Sequence, residues 1–456
     1  MRKMSLEEFN TMPVRAAVSR NAIPAMCTML LFLVYNLADT FFIGMTHDPL
    51  QLAAISLTTP LFTMFSAISN IFGMGGTSVI SRAMGEKRTE YSKRVSSFCM
   101  WTATAIGVIL AAILFIFAKP ILNVLGASQD TLQLAYSYLA IVAFSGPFSM
   151  ISGTFSKILT SEGQPKKAMI GISAGNLLNI ILDPIFILGF HWDVAGAALA
   201  TLISNVVAAG YYLWYFLSRQ SSLSIRVKDY SIKDKICSSV LAIGIPAALG
   251  SMIMGISVMV VNSLMSGYGD MALAGSGVAT KVTMVTGMLC IGFGQGIQPL
   301  LGYCVGAKDW KRYKETFRFS LLFSFIISVI MTGLCYIFTG QIVGAFLTDS
   351  NAYDYAFGFS RILLTTSALF GIYYVFQISL QAMGAAVPAL IINISRQGLI
   401  YIPLLYVMNS ILEVNGLLWA QPVADILSLI LAIILYFISY RKKVRQAEKT
   451  LGDSTK

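Results

Sequence analysis

Gly175-Asn-Leu-Leu-Asn179-Ile-Ile-Leu-Asp183-Pro184-Ile-Phe-Ile-Leu-Gly189 is the stretch that decides how this chain is read. It is apolar enough to cross a bilayer, yet it carries an aspartate at its centre. Asn179 stands four residues before Asp183, so on a helix the amide and the carboxylate share one face. Pro184 has no N–H, which leaves the carbonyl of Ile180 without its helical donor. A charged side chain at mid-membrane depth costs at least ~2.5–3.5 kcal/mol and marks function by default. Carboxylate, amide and freed carbonyl form an oxygen cluster suited to a proton or to a hard cation such as Na⁺.

The rest of the 456-residue chain supports a membrane reading. It is 56% hydrophobic and 12% charged, with mean hydropathy +0.73, whereas soluble domains carry about 25% charged residues. Apolar runs of some 20 residues recur, as helical spans require. About twelve are expected, starting near Ala22, Leu52, Val95, Leu132, Ala168, Ala195, Cys237, Ala272, Phe319, Tyr355, Leu390 and Gly416. The net charge of +11 does not gather on one element, so no nucleic-acid partner is expected. Basic residues fall in the N-terminal segment (Arg2, Lys3, Arg15, Arg20), in alternate loops such as Arg82–Arg94 and Lys308–Arg318, and in the tail at Arg441–Arg445. The intervening loops around His47, Ser128, His191, Tyr268 and Thr348 have almost none, which predicts that both termini are cytoplasmic. The first apolar run is too long for a signal peptide and is read as a retained span. Six scattered cysteines without C-x-x-C spacing imply neither a disulfide frame nor a metal site.

The chain also repeats. Gly73-Met-Gly-Gly…Met84-Gly-Glu-Lys87 matches Gly294-Gln-Gly-Ile…Val305-Gly-Ala-Lys308 at an offset of 221, and Gly163 matches Gly384. Two six-helix halves are expected: 1–217, and 237–441 followed by a basic tail, 442–456. A hydrophilic linker, 218–236, joins them. An even number of spans gives both halves one orientation, a pattern common in secondary transporters. The halves differ in charge. Asp39, near the outer end of the first span, corresponds to Asn262, and Asp183 to about Ile402. Cation chemistry is therefore expected in the first half, with Thr201 of the sixth span adding a hydroxyl. The residues do not choose between Na⁺ and H⁺.

A candidate substrate cavity takes Asn36, Asn176, Gln295, Gln298, Lys281 and Asp425. For Asp425 two readings stand side by side: a ligand for cationic substrate, or an internal partner for Arg361 or Arg396. Lys281 is expected to pair or snorkel, and the glutamines can equally bond between helices. Twenty-two Met and 12% aromatics suit soft contacts with flat organic cations. No Walker A motif, H-E-x-x-H or Ser-His-Asp set occurs, so neither ATP hydrolysis nor catalysis within the chain is expected, and no cofactor.

Ala38-Asp39-Thr-Phe-Phe-Ile-Gly44, Ala53-Ala-Ile-Ser-Leu57, Phe72-Gly-Met-Gly75 through Ser81-Arg82, Leu178-Asn-Ile-Ile-Leu-Asp-Pro184 and Gly196-Ala-Ala-Leu-Ala-Thr201-Leu-Ile-Ser-Asn205 together resemble the multidrug and toxic compound extrusion (MATE) family, in its MepA-like bacterial branch. The resemblance implies an all-α, V-shaped membrane protein of two pseudo-symmetric six-helix lobes. It would act as a monomeric antiporter in the bacterial inner membrane, exporting organic cations for Na⁺ or H⁺ by alternating access. The family's cation-site positions fall on Asp39, Asn179, Asp183 and Thr201. Many MepA-like members lack an acid at the Asp39 position, so its presence here leans toward the family's two-acid sites. A lipid-linked sugar flippase would want a more cationic interior than Lys281, Arg361 and Arg396 supply. A non-transporting receptor leaves the duplicated halves unexplained.

Overall fold

The computed structural model describes residues 9, 11–44, 49–218, 220–347 and 349–454. Arg2, Lys3, His47 and Thr348, used above for topology, lie outside them. The described residues are almost wholly helical. Chain order is α1 (Val14–Gly44), α2 (Pro49–Gly85), α3 (Thr89–Ile116), α4 (Ala118–Val124), α5 (Gln129–Ser161), α6 (Pro165–Pro184) and α7 (Asp193–Leu217), then α8 (Ile236–Ser266), α9 (Asp270–Gly306), α10 (Trp310–Ile337), α11 (Thr339–Phe346), α12 (Ser350–Ser367), α13 (Phe370–Ala382), α14 (Ala386–Ile394) and α15 (Tyr401–Ser454). Helix starts follow local chemistry. Ser128 and Thr131 form a capping box on α5, and Asp309 and Asp349 cap α10 and α12.

Among the described residues nine helical stretches are long and apolar enough to span a bilayer. A tenth forms if α12 and α13, bent by 49°, count as one broken span. Adding α2, and dividing the 63-residue stretch Ala386–Glu448 where Glu413 leaves helical geometry (φ 51°), gives the twelve expected. The repeat extends to short elements that the sequence did not reveal: α4 and α11 begin at Ala118 and Thr339, again 221 residues apart.

The chain forms two compact units. The first contains Cys27–Gly244; the second contains Thr11–Met26 and the chain from Ile245 onward. Each unit thus includes the opening turns of a helix that belongs mostly to the other half of the sequence, and glycines explain how. A Cβ on Gly75 of α2 would lie 2.2 Å from the carbonyl oxygen of Val240, and one on Gly244 would lie 2.0 Å from that of Ile71. The start of α8 therefore lies backbone to backbone against α2. In the second unit a Cβ on Gly296 of α9 would lie 2.5 Å from Ala22 Cα, so α9 receives the start of α1 in the same way. Such small-residue contacts are how helices pack where lipid removes the hydrophobic drive.

The hydrophilic 218–236 stretch does not hang free of the first unit. Leu223 and Ile225 are buried in its core. Ser97 Oγ donates to the Arg226 carbonyl at 2.8 Å, and Trp101 Nε1 to that of Ile225 at 3.0 Å. Buried Glu162, just past α5, accepts from Ser221 Oγ at 2.8 Å and from the Ser222 N–H.

Candidate functional site

Close approach of α6 and α7 builds the site. A Cβ on Gly171 would lie 2.4 Å from the Tyr212 ring, and one on Gly175 would lie 3.0 Å from the Ser204 carbonyl oxygen. With the helices this near, Asn179 reaches Thr201. Helix α6 ends at Pro184 and continues as a π-helical turn, Ile185–Gly189. Such turns often accompany functional positions. The start of α7 presses on it, since a Cβ on Gly196 would lie 3.0 Å from the Phe186 carbonyl oxygen. Asp183 is completely buried at this junction.

With its amide nitrogen turned toward the acid, Asn179 donates to Asp183 Oδ2 at 2.8 Å and its oxygen accepts from the Thr201 N–H at 3.2 Å. In the opposite orientation the nitrogen lies 3.4 Å from Thr201 Oγ1. Among the described residues Asp183 Oδ1 has no hydrogen-bond partner. Asp39, in the last turns of α1, is half-buried and within electrostatic reach of Asp183. The structure thus brings together all four residues expected to couple the cation, and it adds two. Tyr35 and Tyr138 both interact electrostatically with the two acids. Among the described residues no Lys or Arg forms an ion pair with Asp39 or Asp183.

A hard monovalent cation or a proton fits this donor set. The residues offer carboxylate, amide, hydroxyl and phenol oxygens, with one carboxylate oxygen unsatisfied. No group of three or more His, Cys, Asp or Glu that could hold a metal ion occurs among the described residues.

The candidate substrate residues fall in both units, Asn36 and Asn176 in the first and Gln295, Gln298, Lys281 and Asp425 in the second. Asp425 sits in a closed network: Arg396 Nε donates to Oδ1 at 2.8 Å, Gln421 Nε2 to the same oxygen at 2.9 Å, and Thr366 Oγ1 to Oδ2 at 3.1 Å. Of the two readings for Asp425, the structure displays the internal pairing, with Arg396 and not Arg361. Arg396 occupies a second π-helical turn, Ser395–Leu399. Its guanidinium lies 4.4 Å from the Phe370 ring centroid and 5.1 Å from that of Tyr373, and it donates to the Tyr374 hydroxyl at 3.1 Å. Arg361 stacks instead on Tyr336 and Phe357. Lys281 lies 5.3 Å over Phe346. Gln298 is buried and reaches Gln381 of α13 at 3.5 Å, while Gln295 is half-buried. Asn36 Nδ2 bonds back to the Phe32 carbonyl at 2.7 Å. Asn176 is half-buried, its amide nitrogen without a hydrogen-bond partner among the described residues. The duplicated pattern persists here: Asn205 Nδ2 donates to Ser145 Oγ at 2.9 Å in the first unit, at the positions that Asp425 and Thr366 hold in the second.

The MatE family model matches residues 24–185 and again 246–407. This chain belongs to the MatE family. The two matches begin 222 residues apart, in accord with the repeat read from the sequence. The chain is 33% identical over 453 residues to the multidrug export protein MepA of Staphylococcus aureus strain MSSA476, covering 99% of this chain and 100% of that protein. It is 32% identical to the protein of the same name from Staphylococcus saprophyticus, with the same coverage. A crystal structure of MATE in complex with MaL6 superposes with a TM-score of 0.89 at 23% identity, covering 95% of this chain and 97% of that one. The fold is that of MATE proteins, in a multi-pass membrane chain.

Proposed function

We propose that this protein is a secondary multidrug efflux transporter of the bacterial cytoplasmic membrane, exporting organic cations in exchange for Na⁺ or H⁺, with both termini in the cytoplasm. The observation that carries the reading is Asp183: fully buried, with a second acid nearby and, among the described residues, one oxygen unpartnered and no basic residue paired with it. A carboxylate kept so far from water is there to accept a positive charge. The MepA relatives, named as multidrug export proteins, support the substrate class.

Asn179 supplies a local response to that charge. With its nitrogen toward Asp183 it satisfies a bare carboxylate. With its oxygen toward Asp183, two acceptors face each other, an arrangement that is stable only with a proton or cation between them. Binding therefore rotates an amide held between α6 and α7. Pro184 and the π-helical turn beside it form the weak point in the backbone through which that change reaches neighbouring packing. Coupling follows if drug and cation prefer different states, because a ligand with equal affinity for both shifts nothing.

Reconstitution into liposomes with an imposed Na⁺ gradient, or separately an imposed pH gradient, tests the reading. Ethidium movement driven by one of the two is expected. Movement that ignores both would refute exchange transport.

A further inference from the structure

Helices α10 and α15 meet along a column of rings, where α10 starts and α15 runs into the basic tail. Tyr313 stacks on Tyr440 with centroids 5.8 Å apart, and Phe317 on Tyr436 at 4.5 Å. One series rises as the other falls, so the two helices are antiparallel there. Trp310 also meets Tyr440, at 5.5 Å, and Lys314 Nζ lies 5.9 Å from the centroid of the same ring. These contacts set the first two turns of α10, with Lys311 and Lys314, beside the turn of α15 that begins at Arg441.

Each helix carries one face that stays exposed. On α10 it runs Lys311, Lys314, Arg318, Leu322, Phe325 and Val329; on α15, read in the same direction, it runs Arg445, Arg441, Phe437, Ile434 and Ile430. Three- and four-residue spacing makes each set a single stripe. On both helices the stripe lies about a third of a turn past the ring face, in the same rotational sense viewed from the N-terminus. In an antiparallel pair that rotation brings both stripes to one side of the seam. Basic residues therefore occupy one end of the seam and apolar residues the rest.

The first half of the chain provides an internal control. At the repeat offset of 221, Lys311, Lys314 and Arg318 correspond to Glu90, Lys93 and Ser97. There Lys93 pairs with Glu90 at 2.7 Å, and the adjacent Arg94 with Asp234 at 3.0 Å. Ser97 is buried and bonded to the Arg226 carbonyl of the linker that folds back over α3. Arg441 corresponds to Gln220, where that linker has begun, whereas α15 continues as helix. The second unit thus leaves open the face that the first unit covers. Among the described residues none of Lys311, Lys314, Arg318, Arg441 and Arg445 forms an ion pair, nor do the exposed acids nearby, Glu315 and Glu448.

We infer that the α10–α15 seam binds an anionic phospholipid of the cytoplasmic leaflet, its phosphate among Lys311, Lys314, Arg441 and Arg445 and its acyl chains along the two apolar stripes. Basic clusters at the membrane edge of a span attract anionic headgroups, and ammonium and guanidinium are strong donors to phosphate. Arg318, one turn deeper, is placed to snorkel to the same level. The apolar continuation of both stripes favours a lipid over a soluble anion, which would use only the basic end. Naming the leaflet rests on the orientation proposed above; the binding itself does not.

The test titrates the delipidated full chain in detergent with equal amounts of dioleoyl phosphatidylglycerol and dioleoyl phosphatidylcholine and counts retained lipid by native mass spectrometry. The wild type is expected to retain phosphatidylglycerol in preference. Combining Lys314→Gln, Arg441→Gln and Arg445→Gln should weaken phosphatidylglycerol binding by about tenfold or more. Combining Lys228→Gln, Lys233→Gln and Lys235→Gln removes the same charge from exposed linker positions and should change it by less than about twofold. Monodisperse elution and an unchanged melting temperature without lipid establish that both variants fold. Equal retention of the two lipids by the wild type, equal loss in both variants, or loss in neither would overturn the site. Trypsin access to the 441–454 tail reads orientation separately and is expected in inverted vesicles and not in spheroplasts. The reverse pattern would overturn the cytoplasmic leaflet and leave the lipid counts untouched.

Discussion

Removing Arg396 makes a sharp test of the second unit. The guanidinium and the Asp425 carboxylate meet at 2.8 Å with side chains 10% and 3% exposed. Arg396→Met keeps volume and apolar stem but strands Asp425 with only Gln421 and Thr366 as donors. Breaking a buried pair from one side costs about 3–5 kcal/mol. Asp425→Asn should cost less, because the stranded guanidinium still faces the rings of Phe370 and Tyr373 and keeps its bond to Tyr374, and buried cation–π contacts contribute about 2 kcal/mol. The double variant should cost less than the sum, with a coupling of roughly 2–3 kcal/mol. For a unit of some 200 residues each kcal/mol moves the melting temperature by about 2–4 °C, so Arg396→Met should melt about 6–20 °C below wild type. The assay is a double-mutant cycle of melting temperatures in detergent, read by fluorescence-detected size exclusion. An Arg396→Met protein melting within 2 °C of wild type, or strictly additive variants, would refute the reasoning.

Three further substitutions probe packing, Gly244 and Glu162 in the first unit and Gly255 in the second as a control. Gly244→Ala places a methyl about where the Ile71 carbonyl already sits and should destabilise by about 1–3 kcal/mol. Gly255→Ala on the same helix meets nothing within 4 Å and should be neutral or stabilising by up to about 1 kcal/mol; equal melting points for the two would contradict the packing described. Glu162→Ala removes the acceptor that holds Ser221 and Ser222. It should raise amide exchange across residues 220–226 without changing exchange in α6, as hydrogen–deuterium mass spectrometry can check.

The spans and the duplicated halves were legible because lipid enforces long apolar runs and a repeat leaves glycines in register. Asp183, Asn179 and Thr201 were legible because a polar group in such a run is rare and four-residue spacing fixes its face. Tyr35 and Tyr138 were not, since tyrosines are common in membrane helices and their approach to the acids depends on packing between distant segments. The partner of Asp425 stayed open in sequence because a π-helical turn re-aims Arg396, and no spacing rule anticipates that turn. The two such turns also break the symmetry: one follows the 20-residue α6, the other the 9-residue α14.

The central claim is that Asp183 exchanges its charge for movement. Gradient-driven ethidium efflux by Asp183→Asn, in the ion gradient that powers the wild type, measures this most directly, with ethidium binding to the purified variant as the check on folding. The account predicts binding within a few-fold of wild type and efflux that no longer responds to the gradient. Efflux at the wild-type rate with full gradient dependence would contradict it.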